Sequence, residues 1–364
     1  MDIEKMVRKE MQGLVRPVHG GLGWQHPGVE DFSSNLNPYG PPDGLMESFA
    51  EALPHLVHYP DDRSTVFREA ICSRFHVDDA NVTVGAGSAE IIRLFPDVFL
   101  SPDDRVVMPS PTFSEYAYAC HLRGASIDAV PLPDDLRVDI DEMIRRSKGA
   151  KLVYLCNPNN PTGGIVPRKR VLELVDECDR HGTLVFLDET LLELVEGSKD
   201  ITCLAEVTAH DNLFIIRSLT KCFAIPGLRI GYAVGSQGII EHMERARLSW
   251  NLGRLEQLVG AKLLNDHYGH ISRAASVMAA EKARVAQAVS ATGLVQAGVP
   301  DAFFFFERSK WSGKATQERI LRHKVLVRDC ASFGPRFNDF IRFAVKTPER
   351  NDMLIAAFRA EAER

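Results

Sequence analysis

From residue 82 to residue 234 short apolar runs alternate with stretches of helical period, and this alternation limits the possible folds more than any other feature of the chain. The runs fall at 82–84, 105–108, 126–130, 151–156, 184–187, 213–216 and 230–234. Most are apolar at successive positions and not at every second one, so they are expected to be covered on both faces. Helical stretches are read at 64–75, from the glycines at 85–87 to about residue 100, and at 113–123, 139–146 and 168–181. Strands and helices in this order predict an α/β domain built on a doubly wound, mostly parallel sheet, with its ligand beyond the carboxyl ends of the strands.

After Trp250-Asn251 the pattern becomes one long helix, about 255–291, rich in alanine and charge, which is expected to bridge to a smaller α/β domain. That domain reads as a strand at 302–306, a helix at 314–323, strands at 325–328 and 340–344, and a last helix from Pro348. The four phenylalanines at 303–306 fit a buried strand. Residues 19–40 hold so many turn formers that an irregular arm is expected. The organisation is therefore an N-terminal arm at 1–45, counted with the small domain, a large domain at 46–255, and the bridging helix with the small C-terminal domain at 256–364. Two unequal domains suit a chain of 364 residues.

A net charge of −6 gives no general attraction to nucleic acid or anionic membrane. Residues 1–16 are charged and amphipathic, without the apolar core of a secretion signal, and no later run is long enough to span a bilayer, so a cytoplasmic protein is expected. Seven cysteines are dispersed singly and read as reduced, mostly buried thiols. His267 and His270 lack a supporting cluster of carboxylates or thiolates; they are read at a helix end, with no metal site. The basic run at 168–170 is read as a solvated helix face.

The residues with chemical potential gather at strand ends. Lys221 lies in Ser218-Leu219-Thr220-Lys221-Cys222-Phe223-Ala224-Ile225-Pro226-Gly227-Leu228-Arg229, after an apolar run, and is expected in a polar turn that presents its amine on a loop. Ser218, Lys221 and Arg229 together supply a hydroxyl, an ammonium and a planar cationic fork, a set that suits one phosphate ester. Gly85-Ala86-Gly87-Ser88-Ala89-Glu90 opens a helix whose N–H groups can approach an anion. Asp188 ends the run at 184–187, Asn160 lies in Asn157-Pro158-Asn159-Asn160-Pro161-Thr162-Gly163, and Phe113 follows Pro111-Thr112. Singly, each has an ordinary structural explanation as a cap, a turn residue or core.

The ordered series of the Asn157 to Gly163 motif, Leu187-Asp188-Glu189 and Ser218-Leu219-Thr220-Lys221 resembles the class I/II pyridoxal-phosphate aminotransferase superfamily, of fold type I, over nearly the whole chain. The resemblance implies pyridoxal 5′-phosphate as cofactor. Lys221 would take the aldehyde, Asp188 would hold the pyridine nitrogen protonated, Asn160 would donate to the ring O3′ and Phe113 would stack on the ring. Gly87, Ser88 and Ala89, with Ser218 and Arg229, would cup the phosphate. It further implies a homodimer with sites at the interface, in which Tyr59 of Tyr59-Pro60-Asp61 reaches the phosphate of the neighbouring subunit.

A narrower likeness is carried by His19-Gly20-Gly21, Asp31-Phe32-Ser33-Ser34-Asn35-Leu36-Asn37-Pro38, residues 217–229 and Val327-Arg328-Asp329-Cys330-Ala331, which resemble the threonine-phosphate decarboxylases of cobalamin biosynthesis. Histidinol-phosphate aminotransferases are the close relatives. This implies that Arg342 clamps the α-carboxylate of a small phosphorylated amino acid, and that Arg328, with His19 and Asn35, meets the substrate phosphate. The implied reaction is decarboxylation of O-phospho-L-threonine. Transamination of histidinol phosphate is the alternative. Phosphoserine also stays open as a substrate, because one methyl group is worth only about 1–3 kcal/mol in a pocket. A cofactor-sensing transcriptional regulator would need a DNA-binding module, for which residues 1–18 are too short. Two departures stand out. Histidinol-phosphate aminotransferases usually carry a tyrosine three residues after the pyridine-binding aspartate, where this chain has Leu191. Ser88-Ala89 replaces bulkier polar residues, leaving the phosphate cup more dependent on backbone N–H groups.

Overall fold

Leu152, Tyr154 and Cys156 belong to one buried cluster, while Val153 and Leu155, their neighbours on the same strand, belong to another. In the computed structural model, which describes residues 1–364, this two-sided burial recurs along the central sheet. The strands are β1 (Glu30–Asp31), β2 (Val82–Gly85), β3 (Arg105–Ser110), β4 (Ser126–Pro131), β5 (Leu152–Cys156), β6 (Leu184–Asp188), β7 (Leu213–Ser218), β8 (Gly231–Gly235), β9 (Phe304–Arg308), β10 (Val325–Leu326), β11 (Arg328–Asp329) and β12 (Phe340–Ala344). The helices are α1 (Leu45–Ala52), α2 (Thr65–Phe75), α3 (Ser88–Phe99), α4 (Ser114–His121), α5 (Ile140–Ser147), α6 (Arg168–Asp179), α7 (Ser198–Ile201), α8 (Leu219–Cys222), α9 (Gln237–Ala246), α10 (Arg254–Asp266), α11 (Tyr268–Ser290), α12 (Gly313–Leu321) and α13 (Pro348–Ala362).

Seven strands form the main sheet in the order β2-β8-β7-β6-β5-β3-β4. Only β8 runs against its neighbours, so the sheet is mostly parallel, as the apolar runs predict. On one face Phe186, Phe214 and Ile216 pack with Phe95 of α3, Tyr116 of α4 and Met243 of α9. On the other, Val185, Leu187 and Ile215 pack with Met143 of α5 and Leu174 of α6. Full burial of each such side chain contributes about 1.5–3 kcal/mol relative to exposure. A second, three-stranded sheet has the order β11-β12-β9, and β1 pairs with β10. No helix is long and apolar enough to cross a membrane. All seven cysteines are unpaired, and all but Cys72 are buried.

Three local expectations are corrected. The long helix at 255–291 breaks at His267, whose backbone (φ −117°, ψ 9°) leaves helical values between α10 and α11; His270, one turn on, meets the Gly40 carbonyl at 2.9 Å. The strand at 325–328 divides, because Val325–Leu326 is taken by the arm strand β1 and Arg328–Asp329 by β12. Helix α1 carried no sequence reading of its own. The basic run at 168–170 is not simply solvated: Arg168 pairs with Glu206, and Arg170 joins Glu173 and Asp141 of α5, the latter at 2.6 Å.

A buried ionic knot ties two neighbouring strand ends together. Arg217, next to last in β7, approaches Glu189, just beyond β6, at 2.6 Å, and Glu193 at 3.3 Å. The Tyr268 hydroxyl donates to Glu193 at 2.7 Å, extending the knot to α11. All three charged groups are at most 5% exposed. Replacing Arg217 with leucine strands two buried carboxylates, so Arg217→Leu is expected to lower the urea-unfolding free energy of the cofactor-free protein by about 3–5 kcal/mol. A loss below about 1 kcal/mol would mean that the carboxylates do not depend on this cation.

Candidate active site

Strand β6 leaves the apolar layer at Asp188, which is 3% exposed. Its Oδ2 accepts a hydrogen bond from the Tyr116 hydroxyl at 2.5 Å and its Oδ1 one from the Thr190 N–H at 2.8 Å. Burial pushes the carboxyl above its ordinary pKa, and these two donors oppose the shift. Strand β7 continues past the expected end at residue 216 to Ser218, whose hydroxyl accepts from the Thr220 N–H at 3.4 Å and caps the single turn α8. Lys221 therefore sits on a one-turn helix and not in the loop that was expected. The orphan carbonyls of so short a helix need partners. Asn37 of the arm supplies them, its N–H to the Lys221 carbonyl at 3.0 Å and its Nδ2 to that of Cys222 at 2.8 Å. Burial, then Arg229 and Arg342, draw the Lys221 amine down to about 8, against the pull of Asp188.

Arg229 closes over the turn between β2 and α3. Gly87 there has φ +76°, and a Cβ on it would lie 2.5 Å from Arg229 Nη2. The guanidinium thus lies at the N-terminus of a 12-residue helix, where the N–H groups of Ser88 and Ala89 open the first turn. Glu90 fixes this turn by accepting from the Ala86 N–H at 2.5 Å and from Asn251 at 3.1 Å.

Arg328 and Arg342 face each other as register partners in the antiparallel pair β11–β12. Arg342 donates to Asn160 Oδ1 at 2.6 Å and to the Ser33 carbonyl at 2.8 Å, and its Nε is buried without a partner. Arg328 donates to the carbonyls of His19 and Val18 at 3.0 and 3.2 Å and to the Ser332 hydroxyl at 3.1 Å. Every one of these acceptors is a neutral oxygen. Burial lowers the Arg342 pKa to about 10. Nearby in sequence to Ser33, the Asn35 side chain is 5% exposed with its Oδ1 unpaired. The His19 Nε2 meets Glu115 at 2.6 Å, and its ring lies 6.1 Å from that of Phe113.

These contacts join Lys221, Asp188, Asn160, Phe113, Ser218, Arg229, Gly87, Ser88, Ala89, Arg342, Arg328 and His19 into one region at the carboxyl ends of the strands, and Asn35 stands two residues along the arm from Ser33, whose carbonyl Arg342 meets. Tyr59 is not brought to it within its own chain: the residue is 82% exposed and its ring lies tilted against that of Trp250, at 4.9 Å between ring centroids. Tyr116, Asn37 and Gly231 were not singled out from sequence. Tyr116 had a signal, standing three residues after Phe113 within the helical stretch expected at 113–123; Phe113 is the extended N-cap of α4, and the two rings meet edge-on at 5.5 Å. Leu191 is buried and brings no hydroxyl to the region. Two clefts of about 270 Å³ each lie elsewhere, around Arg137 and Arg170 and around Asp134 and Glu307, and contain none of the residues gathered above.

The family model for aminotransferase class I and II matches residues 27–358. A Caldanaerobacter subterraneus protein provisionally named a threonine-phosphate decarboxylase is 32% identical over 329 residues, 90% of this chain and 88% of its own. A histidinol-phosphate aminotransferase of Moorella thermoacetica is 30% identical over 337 residues, 91% of this chain and 86% of its own. Among solved structures, the histidinol-phosphate aminotransferase of Sinorhizobium meliloti in complex with pyridoxal-5′-phosphate superposes with a TM-score of 0.86 at 19% identity, covering 99% of both chains.

A lysine drawn down to about 8 becomes a free amine as the pH rises through that value. Reductive alkylation of Lys221 in the cofactor-free protein, followed by peptide mass mapping, is expected to rise with a midpoint near pH 8 and then level off. A yield that climbs only near the ordinary lysine value of about 10.4 would contradict the assigned environment.

Proposed function

This chain belongs to the aminotransferase class I and II family, and from that premise we propose that it decarboxylates O-phospho-L-threonine to (R)-1-amino-2-propanol phosphate for cobalamin assembly, as a cytoplasmic homodimer with shared sites. The family's cofactor, and this chain's, is pyridoxal 5′-phosphate. The residues present fit it. Arg229 occupies a cradle that a Cβ on Gly87 would fill, and the helix N-terminus beside it suits a phosphate. Asp188 is a buried carboxylate with donors on both oxygens, suited to a protonated pyridine nitrogen. The Asn160 amide, its oxygen already engaged by Arg342, keeps its N–H donors free for the ring O3′. Phe113 would stack on the ring. Tyr59, exposed on its own chain, would serve the phosphate of the neighbouring subunit.

When bound, the cofactor supplies an aldehyde for an amine and an electron-poor ring that accepts the electron pair released at Cα. Lys221, its pKa drawn down to about 8, provides the resting amine and then a proton carrier at Cα. Arg342 would bind the substrate α-carboxylate in a fork-to-fork pairing, and Arg328, with His19 and Asn35, its phosphate. Gripping the substrate at two points fixes its rotation about Cα, and rotation decides whether the carboxylate or the hydrogen is lost.

The observation that carries this reading is the cross-strand pair of Arg328 and Arg342, two nearly buried guanidiniums with only neutral acceptors. A substrate with both a carboxylate and a phosphate satisfies both at once, and phosphothreonine has both. Histidinol phosphate has no carboxylate and would leave one arginine unused, while its aminotransferases also favour a hydroxyl at the place of Leu191. The second reading, transamination of histidinol phosphate, is supported by the 30% identical relative of that name. Phosphoserine decarboxylation would use the same grip.

Incubated with O-phospho-L-threonine, the cofactor-loaded protein is expected to release CO₂ and an amino alcohol phosphate in equal amounts. Arg328→Leu is expected to raise the KM for phosphothreonine about 30-fold or more, the cost of a lost charge-assisted contact. CO₂ at background, together with keto-acid-dependent loss of the amine of histidinol phosphate, would replace this reading by the second.

A further inference from the structure

The mechanism above leaves unused a buried side chain that touches two members of the cofactor site. Tyr116 is fully buried on α4; its ring stacks on Tyr154 at 4.9 Å and 12°, and its edge meets Phe113 at 5.5 Å and 79°. Its hydroxyl ends 2.5 Å from Asp188 Oδ2. We infer that Tyr116 is a positioning residue of the cofactor site: its hydroxyl fixes the Asp188 carboxylate while its ring edge fixes the plane of Phe113.

The geometry gives each contact a direction. Burial and the charge of Asp188 both push the tyrosine pKa upward, so the hydroxyl stays protonated and is the donor. Asp188 is also faced by the Cys156 thiol from β5, by Thr190 from the following loop, by its neighbour Glu189, and by the Lys221 amine from α8. Burial dominates this set and favours a neutral carboxyl, and the Tyr116 hydroxyl is the foremost of the groups that favour the charged one. A neutral Asp188 would not hold a protonated pyridine nitrogen, and the ring would then withdraw electrons less strongly. One side chain would thus set both the charge beneath the pyridine nitrogen and the orientation of the ring stacked on its face.

The inference rests on the reading of Asp188 as the pyridine partner, and Asp188→Ala tests that reading separately. Tyr116→Phe removes the hydroxyl and keeps the ring. In the cofactor-loaded protein it is expected to weaken pyridoxal-phosphate binding about tenfold. It should also move the pH midpoint of the bound cofactor's visible absorbance upward by about half a unit or more, because a ring that withdraws less lets the linked nitrogen keep its proton longer. Tyr116→His, which retains an aromatic donor, is expected to recover most of both losses. Equal losses in the Phe and His variants, with equally lowered unfolding midpoints, would make Tyr116 a packing residue and overturn the inference. Wild-type affinity and midpoint in Tyr116→Phe, with cofactor lost from Asp188→Ala, would also overturn it while leaving the proposed function standing. Cofactor retained with an unchanged spectrum in Asp188→Ala would remove the premise and the inference together.

Discussion

Strands β5, β6 and β7 are covered on both faces, and a strand so placed can carry polar side chains cheaply only where it leaves the covering layers. The register brings those exits together. Cys156 pairs with Asp188 and Asp188 with Ile216, so β5 and β6 end at one level and β7 runs two residues past it, to Ser218. Directly beyond that level come Asn157 to Asn160, Glu189, and Arg217 to Lys221. An apolar middle cannot hold these groups, and the sheet edge gathers them. The site is the place where the chain is permitted to be polar.

Charge that enters this edge is handled in three ways. Arg217 is neutralised inside the protein by Glu189 and Glu193, an arrangement that contributes rigidity under the lysine turn and asks nothing of a ligand. Arg328 and Arg342 are given carbonyl, amide and hydroxyl oxygens only, which satisfy hydrogen bonds but not charge. Desolvated cations without anions raise the energy of the resting protein, and an anionic ligand recovers that energy on binding. Lys221 follows a third course: burial first, and then the charges of Arg229 and Arg342, make it give up its proton more readily. Arg342, which would hold the substrate carboxylate, and Arg229, which would hold the cofactor phosphate, thereby help prepare the amine that must react as a free base.

The fold was legible because it is written in long apolar runs, whose two-sided burial needs only composition and length to recognise. The central chemical groups of the site were legible as an ordered series, since Asp188 directly follows its run and Asn160, Phe113 and Lys221 stand four or five residues after theirs. What could not be read were contacts between segments far apart in the chain. Asn37 holds the Lys221 turn across more than 180 residues, and nothing in the local sequence of either announces it. The break at His267 was hidden because both flanking segments have helical composition. The division of residues 325–328 between two sheets depends on the arm strand β1, which is only two residues long and has no periodicity to detect. The sequence around Lys221 suggests a loop because a helix of a single turn is decided by its caps, Ser218 and Asn37, and not by propensity.

A rigid cofactor held at one end by an amine and at the other by a phosphate cup demands a fixed distance between the two, and flexible loops would not hold it. Here the distance is set by the sheet. Gly231 of the antiparallel strand β8 pairs with Ser218 on one side and with Gly85 on the other, so the lysine turn and the phosphate turn are rungs of one ladder. A Cβ on Gly231 would stand 2.5 Å from the Ser88 nitrogen and 2.7 Å from the Gly87 carbonyl carbon. The backbone of the cup is thus packed against the strand with no room for a side chain between them. The reversal of β8 matches its connection: the segment carrying Lys221 and Arg229 holds only the single turn α8 and a 3-10 turn, with no long crossover helix, and it brings the chain back antiparallel beside β7. One tight connection therefore does three things. It mounts the amine, sends Arg229 over the helix N-terminus, and delivers the glycine that fixes the spacing between them.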